Sequence, residues 1–240
     1  PDAKTIWKFK NDLAETETVD KLFCMFDEHL ENKGLISHKG TIVDATFVDA
    51  PRQRNSRDEN KKIKNGVIPE EWEKPENKSK LAQKDIDADW TKKNGERHFG
   101  YKDHVKCDAD SKLITNYSVT SASVHDSQRC LVFIGQEDEV LYADSAYSGK
   151  PIALALPENC KNQICEKGYR NSPLTSEQKM NNRRKSRIRC RIEQIFGFMT
   201  GAMHGITIRS IGITRAWMNI GITNLVYNFC RYSYLKRASA

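Results

Sequence analysis

The chain has 240 residues, of which 38% are hydrophobic, so it can bury one substantial core and we expect one main domain. Lysines and arginines number 39 against 32 aspartates and glutamates, and the formal net charge is +7. This excess favours a polyanionic partner, although a basic surface that only keeps the protein soluble fits it equally well. The sequence has no run of 18 apolar residues, which excludes a transmembrane helix.

The cysteines argue against a disulfide framework. Seven are scattered along the chain without a CxxC pair, which favours reduced thiols in a cytoplasmic protein. A zinc site built from Cys160, Cys165 and His204 has a spacing that fits none of the usual ligand patterns. The sequence opens on Pro1 with neither an initiator methionine nor a signal peptide, which favours a fragment of a longer protein.

The first 50 residues predict two helices and a strand. Apolar positions recur with helical spacing over residues 5–33, with a break near residues 15–17 and a stop signal at Gly34. Residues 41–48 then have the composition of a buried strand, with Asp44 in its middle.

A strongly charged segment follows this strand. From Pro51 to Arg97, 23 of 47 residues are charged, so we predict a long, mobile excursion that stays solvated or becomes ordered on a partner. Trp90, one of its two large aromatic residues, either stacks on nucleic-acid bases or packs beneath its own loop, and packing is the favoured alternative.

Residues 98–107 and 113–121 are β-rich and flank a short polar turn, which predicts a hairpin. Lys102 and His104 share one face of its first strand, because alternate residues of a strand point the same way. For Lys102, contact with a phosphate and a role in keeping an edge strand soluble are equally compatible with the pattern. A lone His104 is more often structural.

The second half of the chain predicts alternating helices and strands. Helices are expected over residues 125–134, 150–157, 176–200 and 211–236, and strands over residues 139–144 and around residues 163–165. This order implies parallel later strands beside an antiparallel leading trio. We therefore expect an N-terminal helical segment (1–38), a main α/β domain (39–210) and a C-terminal helix packed on it (211–240).

The helix at residues 176–200 combines an apolar stripe with a cluster of cations. Ile188, Ile192 and Ile195 fall on one face, which we expect to contact the core. Six cations occur within nine residues, with no acid among them: Arg183, Arg184, Lys185, Arg187, Arg189 and Arg191. A basic helix of this kind would hold a polyanion and make its binding depend on salt.

Three acids stand in unusual places. Asp44 lies within an apolar strand, Asp144 ends another strand, and Glu193 lies one turn after Arg189. A buried ionised carboxylate is costly unless it is paired or bound to a cation, so we hypothesise that the three converge on a pair of Mg²⁺ or Mn²⁺ ions. The alternative is that backbone donors or an arginine satisfy the two aspartates, and that Glu193 only pairs with Arg189.

Several stretches make the sequence recognisable as a whole: Pro1-Asp2-Ala-Lys-Thr5-Ile6 with Phe9-Lys10, Gly40-Thr-Ile-Val-Asp44-Ala-Thr46, Phe99-Gly-Tyr-Lys102-Asp-His104, Val124-His125-Asp126-Ser127, Tyr142-Ala-Asp144-Ser-Ala-Tyr147-Ser-Gly149 and Arg187-Ile-Arg189-Cys-Arg191-Ile-Glu193-Gln-Ile-Phe196-Gly197. With them the chain resembles the DDE transposases of bacterial insertion sequences, closest to the insertion-sequence-five group.

The resemblance implies a ribonuclease H-like α/β fold: a mixed sheet with helices on both faces and a charged insertion after the first strand. It also implies that Asp44, Asp144 and Glu193 are the metal-binding catalytic triad and that Mg²⁺, replaceable by Mn²⁺, is the cofactor. Arg189 occupies the place of an arginine that relatives carry four residues before the glutamate. Ser186 and Thr200 stand where relatives carry a tyrosine and a lysine.

We therefore predict a metal-dependent DNA transposase that hydrolyses phosphodiester bonds at transposon ends and transfers the strands. Its predicted partners are double-stranded DNA and further copies of the protein, as a homodimer or higher oligomer on DNA, in a nucleoid-associated setting without a membrane. Trp90, Lys102, His104 and the six cations of the basic helix are the predicted DNA contacts. Two alternatives stay open: a nuclease of the same fold that cleaves without joining, and a DNA-binding descendant of a transposase whose acids bind no metal.

Overall fold

The computed structural model describes residues 1–93, 95–205 and 207–238, which form a mixed sheet with helices on both faces. The strands are β1 (Thr41–Asp49), β2 (Asp89–Lys93), β3 (Glu96–Asp108), β4 (Ile114–Ser121), β5 (Val140–Tyr142) and β6 (Lys161–Asn162). The helices are α1 (Ala3–Glu15), α2 (Thr18–Asn32), α3 (Arg57–Lys64), α4 (Glu70–Glu73), α5 (Lys78–Leu81), α6 (Ser127–Phe133), α7 (Lys150–Ala155), α8 (Ser176–Gly201) and α9 (Ile213–Ala238).

Strand β1 lies in the middle of the sheet. It pairs antiparallel with β3 and parallel with β5. Strand β3 also pairs antiparallel with β2 and β4, and β5 pairs parallel with β6. The predicted antiparallel leading strands and parallel later strands are therefore confirmed. The strand predicted around residues 163–165 begins earlier, at β6, but Gln163 still donates a backbone hydrogen bond to Leu141 of β5, and Cys165 donates one to Ala143 just after β5.

Alternate residues of β1 supply two different cores. Ile42 packs in the larger core with Ile192 of α8 and Ile220 of α9. Val43 faces the other way, into a smaller core with Phe133 of α6 and residues of α7. Because side chains alternate along a strand, Asp44 points to the same side as Ile42, which is the side that α8 covers.

The long helices begin and end close to the predicted boundaries. The break between α1 and α2 falls at Thr16 and Glu17, and Glu17 has the left-handed backbone φ of 51°. Helix α8 starts with a capping box, in which Thr175 and Gln178 exchange side-chain to backbone hydrogen bonds. Within the described ranges, no helix is both long and apolar enough to cross a bilayer.

The charged segment after β1, which the sequence predicts to be a long, mobile excursion, contains regular structure. Helices α3, α4 and α5 and strand β2 all lie within it. Trp72 is fully buried, and its indole Nε1 donates to Glu59 at 2.7 Å. The ammonium groups of Lys80 and Lys84 lie 5.4 and 5.1 Å from its ring centre. Charged side chains from this segment therefore contact one buried tryptophan, Trp72. The composition of the segment does not predict these contacts.

Gly100 allows β1 and β3 to approach each other closely. Its backbone φ is +145°, and a Cβ atom there would collide with the carbonyl oxygen of Val48 and come within 2.7 Å of the Ala50 nitrogen. Any larger residue would push β1 away from β3. This explains why a glycine stands between Phe99 and Tyr101 in the strand.

A buried acid–amide pair joins β3 to α9. Asp103 and Asn224 are both fully buried, and the Asn224 amide donates to Asp103 Oδ1 at 3.2 Å. The second oxygen of each group, Asp103 Oδ2 and Asn224 Oδ1, has no hydrogen-bond partner among the described residues. Burial raises the pKa of Asp103 to about 8, against a lowering by the Asn224 hydrogen bond. A proton on Oδ2 would let Asp103 donate to the free oxygen of Asn224 and satisfy both.

We predict that Asp103→Asn makes the protein more stable at pH 8 and leaves its stability at pH 4 nearly unchanged. The folded protein holds the Asp103 proton up to about pH 8, whereas an unfolded aspartate releases it near pH 4, so this group's contribution to stability falls as pH rises between those values. The amide keeps the paired hydrogen bonds without a proton to lose. Urea unfolding at pH 4 and pH 8 should give a gain of about 2–4 kcal/mol at pH 8 only.

The matched control is Asp12→Asn, since Asp12 is exposed on α1. An equal stabilisation by both substitutions at pH 8 would show that net charge, and not the buried pair, is responsible.

Candidate active site

Strands β1 and β5 bring two of the predicted catalytic acids to one side of the sheet. The strands run parallel, with Ile42 beside Tyr142. Asp44 lies two residues further along β1, and Asp144 lies two residues after Tyr142, just beyond the end of β5, so we infer that the two aspartates are neighbours on one side of the sheet. Helix α8 packs against both strands on this face and carries Glu193.

Asp44 is largely enclosed and has two hydrogen-bond donors. Its side chain is 14% exposed; Oδ1 accepts from its neighbour's amide, Ala45 N, at 2.8 Å, and Oδ2 accepts from Arg189 Nη1 at 2.9 Å. Burial raises the pKa of Asp44 to about 6; the Ala45 hydrogen bond and the Arg189 charge lower it, and Asp144 raises it further.

Arg189 links the first acid to the third. One guanidinium nitrogen contacts Asp44, and the other, Nη2, donates to Glu193 Oε1 at 2.6 Å. The pKa of Arg189 is raised overall. Burial lowers this pKa, whereas the negative charges of Asp44 and Glu193 and, more weakly, of Asp144 raise it. Asp144 itself accepts the Ala146 amide at 2.5 Å and so begins the tight turn Ser145–Tyr147. One arginine thus sits among three carboxylates that are distant in sequence.

The three carboxylates fit a hard divalent cation in their chemistry, because charged oxygen donors from rigid elements suit Mg²⁺ and Mn²⁺. The oxygens of these three acids do not form a tight cluster. Among the described residues, the ligand atoms that all lie within 4.8 Å of one another belong to a different group, which includes His38. The guanidinium of Arg189 holds two of the three carboxylates, which shows that this place is favourable for positive charge. Entry of a divalent ion would have to displace that contact.

The other group consists of His38, Glu137 and Asp138, which sequence reasoning did not single out. Its buried acid is already satisfied: Asp138 accepts from Lys106 at 2.8 Å, from Thr41 at 2.6 Å and from the Gly135 amide at 2.9 Å. The lysine supplies the positive charge that a metal would bring. We therefore interpret this group as structural.

The cations of α8 fall into two sets. Lys185, Arg189 and Arg191 bind within the protein, to the carbonyl of Ile164, to the acids described above and to the carbonyl of Ala109. The exposed arginine face comprises Arg183, Arg184 and Arg187, whose guanidinium groups have no hydrogen-bond or ion-pair partner in the described parts of the chain. At about 100° per residue these three are turned away from Arg189 around the helix. They form a cationic surface on the side of α8 that faces away from Asp44.

The structure does not leave Lys102 and His104 free to contact a nucleic acid, which corrects that interpretation. Lys102 is 8% exposed and donates to Asp126 Oδ1 and the Val124 carbonyl, both at 2.7 Å. His104 is fully buried and shares a hydrogen bond of 2.8 Å with Thr120. Strand β3 is an inner strand, so the alternative of an edge-strand lysine is also wrong. Pairing with Asp126, 24 residues away, was not visible in the spacing of the strand.

Trp90 is partly buried and packs on the larger core. Its ring centre lies 5.1 Å from that of Phe99, at an interplanar angle of 45°. The rest of the indole borders an open cleft and has the Arg52 guanidinium 5.8 Å from its ring centre. The predicted packing role is therefore present, and one part of the ring stays accessible.

We predict that Arg189→Gln destabilises the protein at pH 7.5 in the presence of a chelator. Asp44 is ionised at that pH and would lose its cationic partner, which costs about 1–3 kcal/mol for a pair that is not fully buried. At pH 5, below the Asp44 pKa of about 6, the carboxyl is mostly protonated and the difference should shrink. Arg187→Gln, an exposed change on the same helix, should stay within about 0.5 kcal/mol of the unchanged protein. Equal effects of both substitutions in denaturant titrations would contradict a role for the Arg189 bridge.

Two comparisons with known proteins bear on this arrangement. Residues 36–229 match the family described as transposase DDE domain. The chain is also 30% identical over 199 residues to the transposase for insertion sequence element IS1106 of Neisseria meningitidis serogroup B, a match that spans 79% of this chain and 64% of that relative.

Among solved structures, the chain aligns with a piggyBac transposase in a synaptic complex with hairpin DNA, at 11% identity and a TM-score of 0.46, over 81% of this chain and 47% of that one. That likeness is too low to carry an argument. The family match covers most of the chain and includes all three acids, whereas the insertion-sequence-five subgroup stays a prediction. The chain therefore belongs to the DDE transposases of bacterial insertion sequences.

Proposed function

We propose that this chain carries the catalytic site of a metal-dependent DNA transposase that cuts DNA at transposon ends and joins the cut strands to a target. The observation that supports this most is the position of Arg189, which binds Asp44 and Glu193 at once beside Asp144. Carboxylates from two neighbouring strands and a crossing helix would repel one another without such a cation. A site that needs positive charge in this way is suited to a divalent ion.

In this proposal Asp44, Asp144 and Glu193 hold Mg²⁺ or Mn²⁺, with two ions per site. Bound ions of this kind activate an attacking hydroxyl and stabilise the leaving oxygen of a phosphodiester. The rigid strands β1 and β5 fix the two aspartates, while Glu193, whose side chain is 56% exposed, can adjust its position. Arg189 keeps Asp44 and Glu193 together before the ions bind.

The exposed arginine face supports DNA binding by the same helix that carries Glu193. Its three guanidinium groups have no partner among the residues that the structure describes, so each can contact a phosphate without breaking one of the described contacts. Because strand transfer joins separate DNA segments, we further propose that two or more copies act together on DNA, in association with the nucleoid.

We predict that Asp44→Ala, Asp144→Ala and Glu193→Ala each reduce strand cleavage by about 10³-fold or more while DNA binding persists. Each substitution removes an ion ligand but also removes a negative charge near the DNA. The assay is cleavage of a labelled duplex carrying an insertion-sequence end, with Mg²⁺ or Mn²⁺, alongside a gel-shift measurement of affinity.

Glu177→Ala is the control, since Glu177 is an exposed acid in the first turn of α8. Metal-dependent cleavage that survives in any of the three variants would refute the proposed triad. Cleavage without any joined product in the unchanged protein would favour a nuclease over a transposase.

We also predict that replacing Arg183, Arg184 and Arg187 together by glutamine weakens binding to unrelated duplexes and lowers the slope of log affinity against log salt by about 2–3, at roughly 0.9 per lost phosphate contact. The matched control replaces Lys4, Lys8 and Lys10, three exposed cations of α1, by glutamine. If both triple variants lose the same affinity and slope, the exposed arginine face has no specific role.

A further inference from the structure

A cleft on the strands β2 and β3 has features of a second binding site. It encloses about 570 Å³, opens to solvent, and lies where the segment after β1 meets the β2–β3 hairpin. Trp90 supplies its aromatic wall, and Arg54, Lys92 and Arg97 line it. A space of this size falls within the range of pockets that hold small molecules or single nucleotides.

The aromatic wall is fixed in place but not fully covered. Trp90 packs against Phe99 at 5.1 Å, which holds the indole to the core, and the Trp90 amide donates to the Asp89 carboxylate at 2.7 Å. Arg52 places its guanidinium 5.8 Å from the indole centre, and Arg52 is itself exposed. A flat ring between this movable cation and a fixed indole would contact both.

The charges around the indole are not compensated. Arg52, Arg54, Lys92 and Arg97 are all exposed, and none has an ion-pair partner within residues 1–93, 95–205 and 207–238. Lys92 and Arg97 also stand directly opposite each other in the β2–β3 ladder. Like charges in cross-strand positions destabilise a sheet, so this pair favours an anion that binds between them.

We propose that this cleft binds an unpaired stretch of DNA, with one base stacked on Trp90 and the adjoining phosphates on Arg54, Lys92 and Arg97. Duplex DNA keeps its bases stacked on one another, so only an unpaired or extruded base can present its face to the indole. The aromatic wall with cations on its rim thus distinguishes this site from the exposed arginine face, which has cations alone.

The site is connected to the candidate catalytic residues through β2. Strand β2 pairs with β3, and β3 pairs with β1, which carries Asp44. This inference rests on the proposed function in one respect: the bound nucleotide would adjoin the phosphodiester that the carboxylates act on.

The test measures affinity of the full chain for a labelled oligothymidylate and for a duplex of the same length, without divalent ions. Trp90→Leu keeps an apolar side chain against Phe99 but removes the aromatic face, and it should weaken single-strand binding by about 10-fold or more while duplex binding changes by less than about 2-fold. Trp90→Phe should restore most of the single-strand affinity. Arg97→Gln should weaken single-strand binding and reduce its salt dependence.

Trp7→Leu is the matched control, because Trp7 is a 62% exposed tryptophan on α1. Single-strand affinity of the folded Trp90→Leu variant equal to that of the unchanged protein would overturn the inference, as would equal losses from Trp90→Leu and Trp7→Leu. Cleavage of duplex ends by the unchanged protein tests the proposed function separately. An active enzyme with an unaltered Trp90→Leu affinity refutes the cleft alone, and an inactive protein with a weakened variant refutes the catalytic proposal alone.

Discussion

The contact of Arg189 with Asp44 and Glu193 is the interaction on which the candidate site depends. Asp44 sits in the middle of the central strand and is mostly enclosed, where an unpaired carboxylate would be costly. Burial raises its pKa to about 6, so at neutral pH it is ionised and needs a positive partner. The guanidinium supplies this charge and at the same time positions Glu193, which a helix otherwise leaves on its exposed side.

The same contact explains why the carboxylates can be close without a metal. Three anions at one place on the sheet raise one another's free energy, and a fixed arginine offsets part of that repulsion. The alternative to a metal site was that backbone donors or an arginine satisfy the two aspartates. The structure contains such hydrogen bonds to both of them. The two interpretations are compatible if Arg189 supplies the positive charge until an ion binds, as we propose.

Much of the fold was predictable because local rules decide it. Period-two alternation places Asp44 on the side of Ile42, and the parallel pairing of β1 with β5 then brings Asp144 beside it. The apolar stripe of α8 fixes which face of that helix meets the sheet. The contacts that could not be predicted join residues that are distant in the sequence. Asp126 pairs with Lys102, and Trp72 contacts charged side chains such as Glu59 and Lys80. Neither partnership leaves a periodic trace in the sequence.

The most direct test of the central claim is calorimetric titration of Mn²⁺ into the unchanged protein and into Asp44→Asn, Asp144→Asn and Glu193→Gln, each with the charge of one carboxylate removed. If the three carboxylates share divalent ions, the unchanged protein binds Mn²⁺ and each substitution weakens that binding by about 10-fold or more. Mn²⁺ affinity that is the same in all four proteins would contradict the account.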